Sequence, residues 1–189
     1  TSPSVTYGTN GFFILKDGNS VTDQSGRGNN FTVANGTLTK TEDCPSNVFA
    51  TGNRLNVNAG AVGTFTNGNN TIKVANSSGS VFGSSSTLGM TTGKFYCEAK
   101  IITVDSTMIG VSPSPSEDAR NNRSPSGASS SGAVGCLAET GTKYVSGTGT
   151  TYGAATSTDG IMMIALDLDN LKVYFGSGGQ WSNGSGAWN

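Results

Sequence analysis

GIMMIALDLDNLKVYF, residues 160–175, contains the longest apolar run of the chain and has the pattern of two strands joined by a tight turn. Alternation places Met162 and Ile164 on one face of the first strand and Met163 on the other. Because both faces are apolar, we expect this strand to be covered on both sides inside a sandwich. Asp169-Asn170 supplies the turn, since both residue types tolerate left-handed backbone. The rest of the chain must provide the partner surface for this hairpin.

Other segments also have the pattern of short strands separated by turns rich in glycine, and none has a helical period of useful length. The predicted strands are Gly11–Leu15, Phe31–Val33, Thr71–Ala75, Ser80–Phe82, Gly93–Ile102, Thr107–Val111, Ala133–Ala138 and Thr142–Val145. The predicted fold is all-β, an antiparallel β-sandwich. Residues 1–66 are predicted to be an N-terminal segment of short strands and Gly/Asn-rich loops packed on the same sandwich, and residues 67–189 the sandwich itself.

Composition excludes several classes of function. The chain has 189 residues, a formal net charge of -1 and only 12% charged residues, so nucleic acid is not an expected partner. No apolar run approaches the roughly 18–20 residues that cross a membrane, so membrane insertion is not expected. The chain has no histidine, which excludes the Ser-His-Asp and Cys-His catalytic triads and zinc sites with histidine ligands. We expect no cofactor.

Cysteine and Asx residues raise two structural questions. Cys44, Cys97 and Cys136 are odd in number and widely spaced, which argues against a disulfide framework, although a Cys97–Cys136 bridge stays an alternative to free thiols. Asp17, Asp23, Asn29 and Asn30 offer oxygen ligands for calcium, or they bond the backbone of their own loop. The second reading is favoured, and no metal site is expected.

Four stretches in the second half carry a family resemblance in their order and spacing. They are GKFYCEAKI at 93–101, MIGVS at 108–112, GAVGCLAETGTKYVSG at 132–147 and GIMMIALDLDNLKVYFGSGGQW at 160–181. Together they resemble the SPRY branch of the concanavalin A-like lectin/glucanase superfamily, which implies a jelly-roll sandwich. Cys97 replaces the usual Trp, and Leu171 replaces the usual turn Gly. The resemblance implies further strands after Trp188, so the chain either closes its own sandwich or borrows a strand from a neighbour.

The first half carries a second resemblance. FFILKDGNSVTDQSGRGNNFTVAN at 12–35 and CPSNVFATGN at 44–53 resemble a segment that precedes such domains in structural proteins of tailed bacteriophages, particularly marine ones. This resemblance implies a virion structural protein: a fibre, an appendage or a capsid-decorating module. The implied partners are other virion proteins and copies of itself, with a trimer favoured, and host surface polysaccharide. Residues 178–189 and the N-terminal segment are expected near the contacts between copies.

Two alternatives come from other classes: a carbohydrate-binding adhesin domain of a bacterial surface protein, and a glycan-cleaving enzyme. Retaining glycosidases need two carboxyl groups roughly 5 Å apart. GKFYCEAKI carries only Glu98, and Asp167 and Asp169 lie at a turn where carboxylates are ordinary. We therefore expect no catalytic residue and no enzyme.

Four aromatic residues in predicted loops or strand ends are candidate glycan contacts: Tyr144, Tyr152, Trp181 and Trp188. Exposed aromatic rings beside amide and hydroxyl groups can stack on one face of a sugar while polar groups bond its rim. The alternative is that these residues seal the ends of the sandwich or pack against another subunit.

Overall fold

The computed structural model describes residues 4–15, 20–38, 48–57, 63–74, 83–113 and 132–189. In these ranges twelve strands form, and the paired strands whose register is defined are all antiparallel. The helical content of the same ranges is one 3₁₀ turn at Asn67–Asn69. The prediction of an all-β antiparallel fold is therefore confirmed.

The chain separates into two compact units. The first draws on described residues from 4–54, 63–74 and 86–88, and the second on 55–57, 83–85, 89–113 and 132–189. The units thus alternate along the chain, whereas the sequence analysis divides it once, after residue 66. The reason is that short strands far apart in sequence pair with each other, which a linear boundary does not represent.

The second unit contains a four-stranded sheet, here called the β10 sheet, built around the decisive hairpin. Its strands, in the order β12-β11-β10-β5, are β5 (Lys94–Ile101), β10 (Gly160–Asp167), β11 (Lys172–Ser177) and β12 (Gln180–Trp181). The predicted hairpin and the predicted strand at 93–102 are both confirmed. Leu171 closes the hairpin turn with a φ of 53° and 88% of its surface exposed, where glycine would adopt this left-handed backbone without strain.

A second four-stranded sheet, the β7 sheet, also belongs to this unit. It has the order β6-β7-β8-β9, with β6 (Met108–Val111), β7 (Val134–Leu137), β8 (Thr142–Val145) and β9 (Thr148–Thr151). The sequence predicted β6, β7 and β8 but not β9, whose TGTT sequence has no apolar alternation. A side chain at Gly110 would place its Cβ 2.3 Å from the carbonyl oxygen of Val134, so close strand pairing there requires glycine.

The two sheets share one hydrophobic core. Its buried members come from both sheets and the segments that follow their strands: Ile101, Cys136, Ala138, Met162, Ile164 and Phe175. Partly buried Ile109 and Val134 of the β7 sheet and Val173 of the β10 sheet pack around them. This is a two-sheet β-sandwich. The jelly-roll order of strands that the resemblance implies stays a prediction.

The remaining strands are short and paired two by two. They are β1 (Gly52–Val57) with β4 (Ser84–Ser86), and β2 (Gly63–Thr66) with β3 (Thr71–Val74). Residues of β1 and β4 are divided between the two units. In the first unit, the amino end of β1 packs closely, since a Cβ at Gly52 would lie 2.7 Å from Ile72 and 2.8 Å from Phe65.

Two strand predictions in the first unit are wrong, and a third lies outside the described residues. The described residues of Gly11–Leu15 and Phe31–Val33 form no strand. Instead of joining a ladder, Phe13 N–H donates to the Asp23 carboxylate at 2.9 Å, and Phe31 N–H donates to the Val21 carbonyl at 3.1 Å. The predicted strand Ser80–Phe82 is not among the described residues.

Candidate functional site

The face of the β10 sheet that points away from the core carries four rows of side chains, of which the one farthest from the hairpin turn is Ile161 with Lys100. Residues that pair directly across antiparallel strands point to the same side, so the register defines each row. The first row is Lys94, Asp167 and Lys172, the second is Tyr96, Ala165 and Tyr174, and the third is Glu98, Met163, Gly176 and Trp181. We call this surface the outer face.

Three aromatic residues of the outer face form what we call the aromatic patch: Tyr96, Tyr174 and Trp181. Their exposed fractions are 54%, 45% and 37%. Tyr96 and Tyr174 lie on either side of Ala165, whose small side chain leaves room between them. A contiguous group of exposed aromatic rings is typical of a binding surface, whereas single exposed hydrophobic residues are ordinary.

Glycine at position 176 allows Trp181 to lie across the sheet. A Cβ at Gly176 would lie 3.1 Å from Cε3 of Trp181 and 2.5 Å from Cε of Met163, so both side chains occupy the space that a larger residue would need. The Tyr96 and Trp181 rings meet edge to face, with centroids 6.1 Å apart and planes at 68°. Two strands at opposite edges of the sheet are thereby joined through their side chains.

This arrangement explains how the second apolar face of β10 is covered. Met163 is only 5% exposed although it lies on the outer face. Its methyl group and the Trp181 ring approach the same point above Gly176. The apolar residues on both faces of this strand predict a sandwich layer on this side. The side chains of the β10 sheet itself cover Met163, because the long aromatic residues reach across two strands.

The first row of the outer face is an ionic seam at the hairpin turn. The Lys94 ammonium pairs with the Asp167 carboxylate and lies 3.9 Å from Asp169. The Asn170 backbone N–H and side-chain amide donate to Asp167 at 3.0 and 2.9 Å. The bonds from Lys94 and Asn170 lower the pKa of Asp167 to about 2. Gly93 N–H donates to Asp169 at 2.8 Å, so the turn is tied to the start of β5.

Glu98 is the acidic group beside the aromatic patch. The Tyr96 hydroxyl donates to its Oε1 at 2.5 Å, and this bond raises the pKa of Tyr96. The next lysine on the same face, Lys100, pairs instead with Asp159 at 2.8 Å. Among the described residues, no cation pairs with Glu98. The patch therefore has one carboxylate at its border that retains an unused acceptor.

The four predicted glycan contacts do not lie together. Trp181 belongs to the aromatic patch. Tyr144 is half-buried on β8, paired with Gly135 and Gly149 in the β7 sheet. It points away from the core, because its neighbour Lys143 pairs with the core residue Cys136. Tyr144 and Trp181 therefore belong to different sheets of the sandwich.

Tyr152 and Trp188 pack against the core instead. Tyr152 meets Phe175 and Trp188 edge to face, at centroid distances of 6.2 and 6.5 Å. The Trp188 ring covers Gly153 so closely that a Cβ there would lie 2.1 Å from the ring. Both residues thus have a packing role that matches the alternative given for them in the sequence analysis.

The candidate catalytic carboxylates are used structurally. Asp167 bonds to Asn170 of the turn and to Lys94 of β5, and Asp169 accepts from the N–H of Gly93, which precedes β5. Both are ordinary uses of acidic residues at a strand turn. In the described ranges, no group of three or more Cys, Asp or Glu residues is placed to hold a metal ion. Cys97 and Cys136 are free, and burial raises the pKa of the Cys136 thiol to about 12. Cys44 lies outside the described residues.

The proposed calcium loop in the first unit is organised around Asp23. Its carboxylate accepts hydrogen bonds from the N–H groups of Phe13, Ser25 and Asn29 at 2.8–2.9 Å, and these outweigh desolvation to hold the pKa of Asp23 well below its usual range. Asn29 donates to the Gly11 carbonyl at 2.8 Å, and the Asn30 side-chain oxygen accepts from Asp23 N–H at 2.9 Å. The interpretation of Asx side chains bonding their own loop is confirmed for Asp23 and Asn30, whereas the Asn29 side chain bonds the backbone of Thr9 and Gly11. Asp17 lies outside the described residues.

Tyr96 and Tyr174 are not among the predicted glycan contacts, because those were residues of predicted loops and strand ends. The available signal was the alternation of GKFYCEAKI, which sets Tyr96, Glu98 and Lys100 on one face, and of LKVYF, which sets Tyr174 opposite Phe175. Comparison with known proteins adds no further guide, since no family model, curated protein or solved structure matches the chain. In the parts of the chain that the structure describes, no helix has the length and apolarity needed to span a membrane.

Proposed function

We propose that this protein is a non-enzymatic structural module of a tailed-phage virion that binds host surface polysaccharide through the aromatic patch. The observation that carries the proposal is the exposure of Tyr96, Tyr174 and Trp181 on one sheet face. From β5 to β12 this face spans three strand spacings, about 14 Å. That length suits a short stretch of an extended glycan chain.

The chemistry of the outer face suits sugars. Pyranose rings have an apolar face that stacks on aromatic rings and a rim of hydroxyl groups that needs hydrogen-bond partners. The tyrosine hydroxyls and the Glu98 carboxylate supply such partners at the border of the patch. A sheet platform also holds its side chains in place before binding, which lowers the entropic cost of association.

The virion assignment is supported by the two resemblances in the sequence. The four SPRY-like stretches correspond to β5, β6, the β7–β8 hairpin and the β10–β11–β12 segment. Within the phage-like stretch at 12–35, residues 23–29 form the loop held by Asp23. On this proposal the module is displayed in several copies on the particle surface, with a trimer as the favoured state. Catalysis is not part of the proposal, because Asp167 and Asp169 are both held at the hairpin turn.

A glycan array of bacterial surface polysaccharides tests the binding. We expect the wild-type chain to bind members of the array, and both Trp181→Ala and Tyr174→Ala to weaken binding by about tenfold, equivalent to about 1.4 kcal/mol. Tyr144→Ala removes an aromatic ring from the other sheet and is the matched control, which should bind like the wild type. Two variants are used because Trp181→Ala also uncovers Met163.

Three results would contradict the proposal. Absence of binding by the folded wild-type chain would leave only a structural role. If Trp181→Ala and Tyr174→Ala both bound as tightly as the wild type, the binding site would lie elsewhere. Shortening of array glycans, detected by mass spectrometry, would identify an enzyme. Antibody labelling of phage particles that encode the chain, viewed by electron microscopy, tests the virion assignment separately.

A further inference from the structure

We infer that Glu98 determines the charge of the glycan, so that the aromatic patch takes polysaccharides of neutral or amino sugars and rejects those rich in uronate or sialic acid. This inference rests on the proposed function of the patch as a glycan site. It adds the chemical class of the ligand and assigns a specificity-determining residue.

Glu98 lies where it can contact a glycan bound on the aromatic patch. Glu98 shares a cross-strand row with Met163 and Trp181, and its neighbour on the same strand face is Tyr96. The Tyr96 hydroxyl occupies Oε1, so Oε2 is available to a ligand that lies on the rings. A carboxylate oxygen only accepts hydrogen bonds, which matches the hydroxyl and amine donors of a sugar rim.

The two lysines of β5 do not neutralise the charge of Glu98. Lys94 is engaged by Asp167, and Lys100 is engaged by Asp159. Their charges are therefore largely neutralised by acidic residues of the same chain. Glu98 has no such partner among the described residues, so its negative charge acts on whatever binds beside it. Aromatic rings and a bound sugar exclude water from this border, which strengthens repulsion between like charges.

Lys172 is the competing group. It lies in the first row opposite Asp167, one row from Tyr174 and two rows from Glu98. An acidic glycan attracted by Lys172 would bind at the end of the outer face nearest the hairpin turn. The inference therefore requires that the Trp181 and Tyr96 end of the patch, where Glu98 lies, controls binding.

The test uses the same polysaccharide array, sorted into neutral, amino-sugar and acidic members. We expect the wild-type chain to bind neutral or amino-sugar members at least about tenfold more tightly than acidic members. Glu98→Gln keeps an acceptor for the Tyr96 hydroxyl but removes the charge, so it should bring acidic members to within about threefold of the neutral ones. Added salt should reduce the difference in affinity between neutral and acidic members for the wild-type chain, because salt screens the repulsion between Glu98 and an acidic glycan.

Glu139→Gln is the matched control, since it removes the same charge from an exposed position after β7. It should leave the discrimination unchanged. If the wild-type chain preferred acidic members, the inference would be overturned while the glycan site would stand. Loss of that preference in Lys172→Gln would then assign the preference to Lys172.

The inference would also be overturned if wild type and Glu98→Gln discriminated equally between neutral and acidic members. Binding of no array member would contradict the proposed function, and this inference would fall with it.

Discussion

Met162 and Met163 are neighbours in β10 and are both buried, with 0% and 5% of their surfaces exposed, yet they are buried by different parts of the molecule. Met162 lies in the core between the two sheets. Met163 lies on the outer face beneath aromatic side chains of its own sheet. One strand therefore supports two apolar surfaces, and within the described residues of the second unit only the inner one is closed by a second sheet.

This difference separates stability from recognition. The inner face is covered by side chains from a different sheet, so a change there leaves a cavity that the backbone cannot close. On the outer face, Tyr96 and Trp181 have one side towards the sheet and the other towards solvent. These side chains can shift after a substitution, and their exposed sides are available to a ligand. Three changes test this comparison.

Phe175→Ala should have the largest effect. Phe175 is 0% exposed in the core, and its truncation is expected to cost about 3–5 kcal/mol in the free energy of unfolding. Tyr174→Ala, one residue away on the outer face, should cost about 1 kcal/mol or less. Urea unfolding followed by tryptophan fluorescence measures both. Similar losses for the two variants would show that the outer face is as closely packed as the core.

The pair Met162→Ala and Met163→Ala should give the intermediate effect. We expect a loss of about 2–5 kcal/mol for Met162→Ala, and a smaller loss of about 1–2 kcal/mol for Met163→Ala, because Tyr96 and Trp181 can move into the space. The unfolding transition gives both values. In a Trp188→Phe background, which leaves Trp181 as the remaining tryptophan, the emission maximum should shift in Met163→Ala and not in Met162→Ala. A shift confined to Met162→Ala would reverse the assignment of the two faces.

Acid should produce the smallest effect, and in the second unit it should act through the ionic seam of the outer face. The pKa of Asp167 is lowered to about 2 in the folded state, so its stabilising contribution is fully present above the pKa of an unfolded aspartate and is lost as the pH falls towards 2. Asp167→Asn should therefore be less stable than wild type at neutral pH and lose less stability between about pH 4 and pH 2.

Tryptophan fluorescence suits this measurement, because Trp181 and Trp188 both belong to the second unit, whereas Asp23, which is also acid-sensitive, belongs to the first. Asp159→Asn removes the exposed pair with Lys100 and is the control. An acid transition unchanged by Asp167→Asn would show that the ionic seam does not contribute to stability.

The strands that local pattern predicted correctly are the apolar, alternating ones: β3, β5, β6, β7, β8 and the β10–β11 hairpin. Polar strands such as β9 were missed, because the hydrogen bonds of TGTT to its neighbour β8, and not its own side chains, make it a strand. The prediction for Gly11–Leu15 was wrong in the opposite sense, since a strand was predicted there and none forms. The apolar residues of this segment favour a strand, but the carboxylate of Asp23 takes the backbone N–H of Phe13.

The candidate site shows the same division. Trp181 was a candidate from its residue type and its place at a strand end. The alternation in β5 sets Tyr96 on the face opposite the core residue Ile101, and the alternation in β11 sets Tyr174 opposite the core residue Phe175. The amino-acid order thus fixes the period-two pattern, since alternation is a local property of extended backbone. Whether Tyr96 meets Trp181 depends on the register of β5, β10, β11 and β12, and on the absence of a side chain at Gly176. Those contacts join residues far apart in the chain. They therefore form only in the tertiary structure, where the pairing of the strands sets the register and burial of one face in the core leaves the other face exposed.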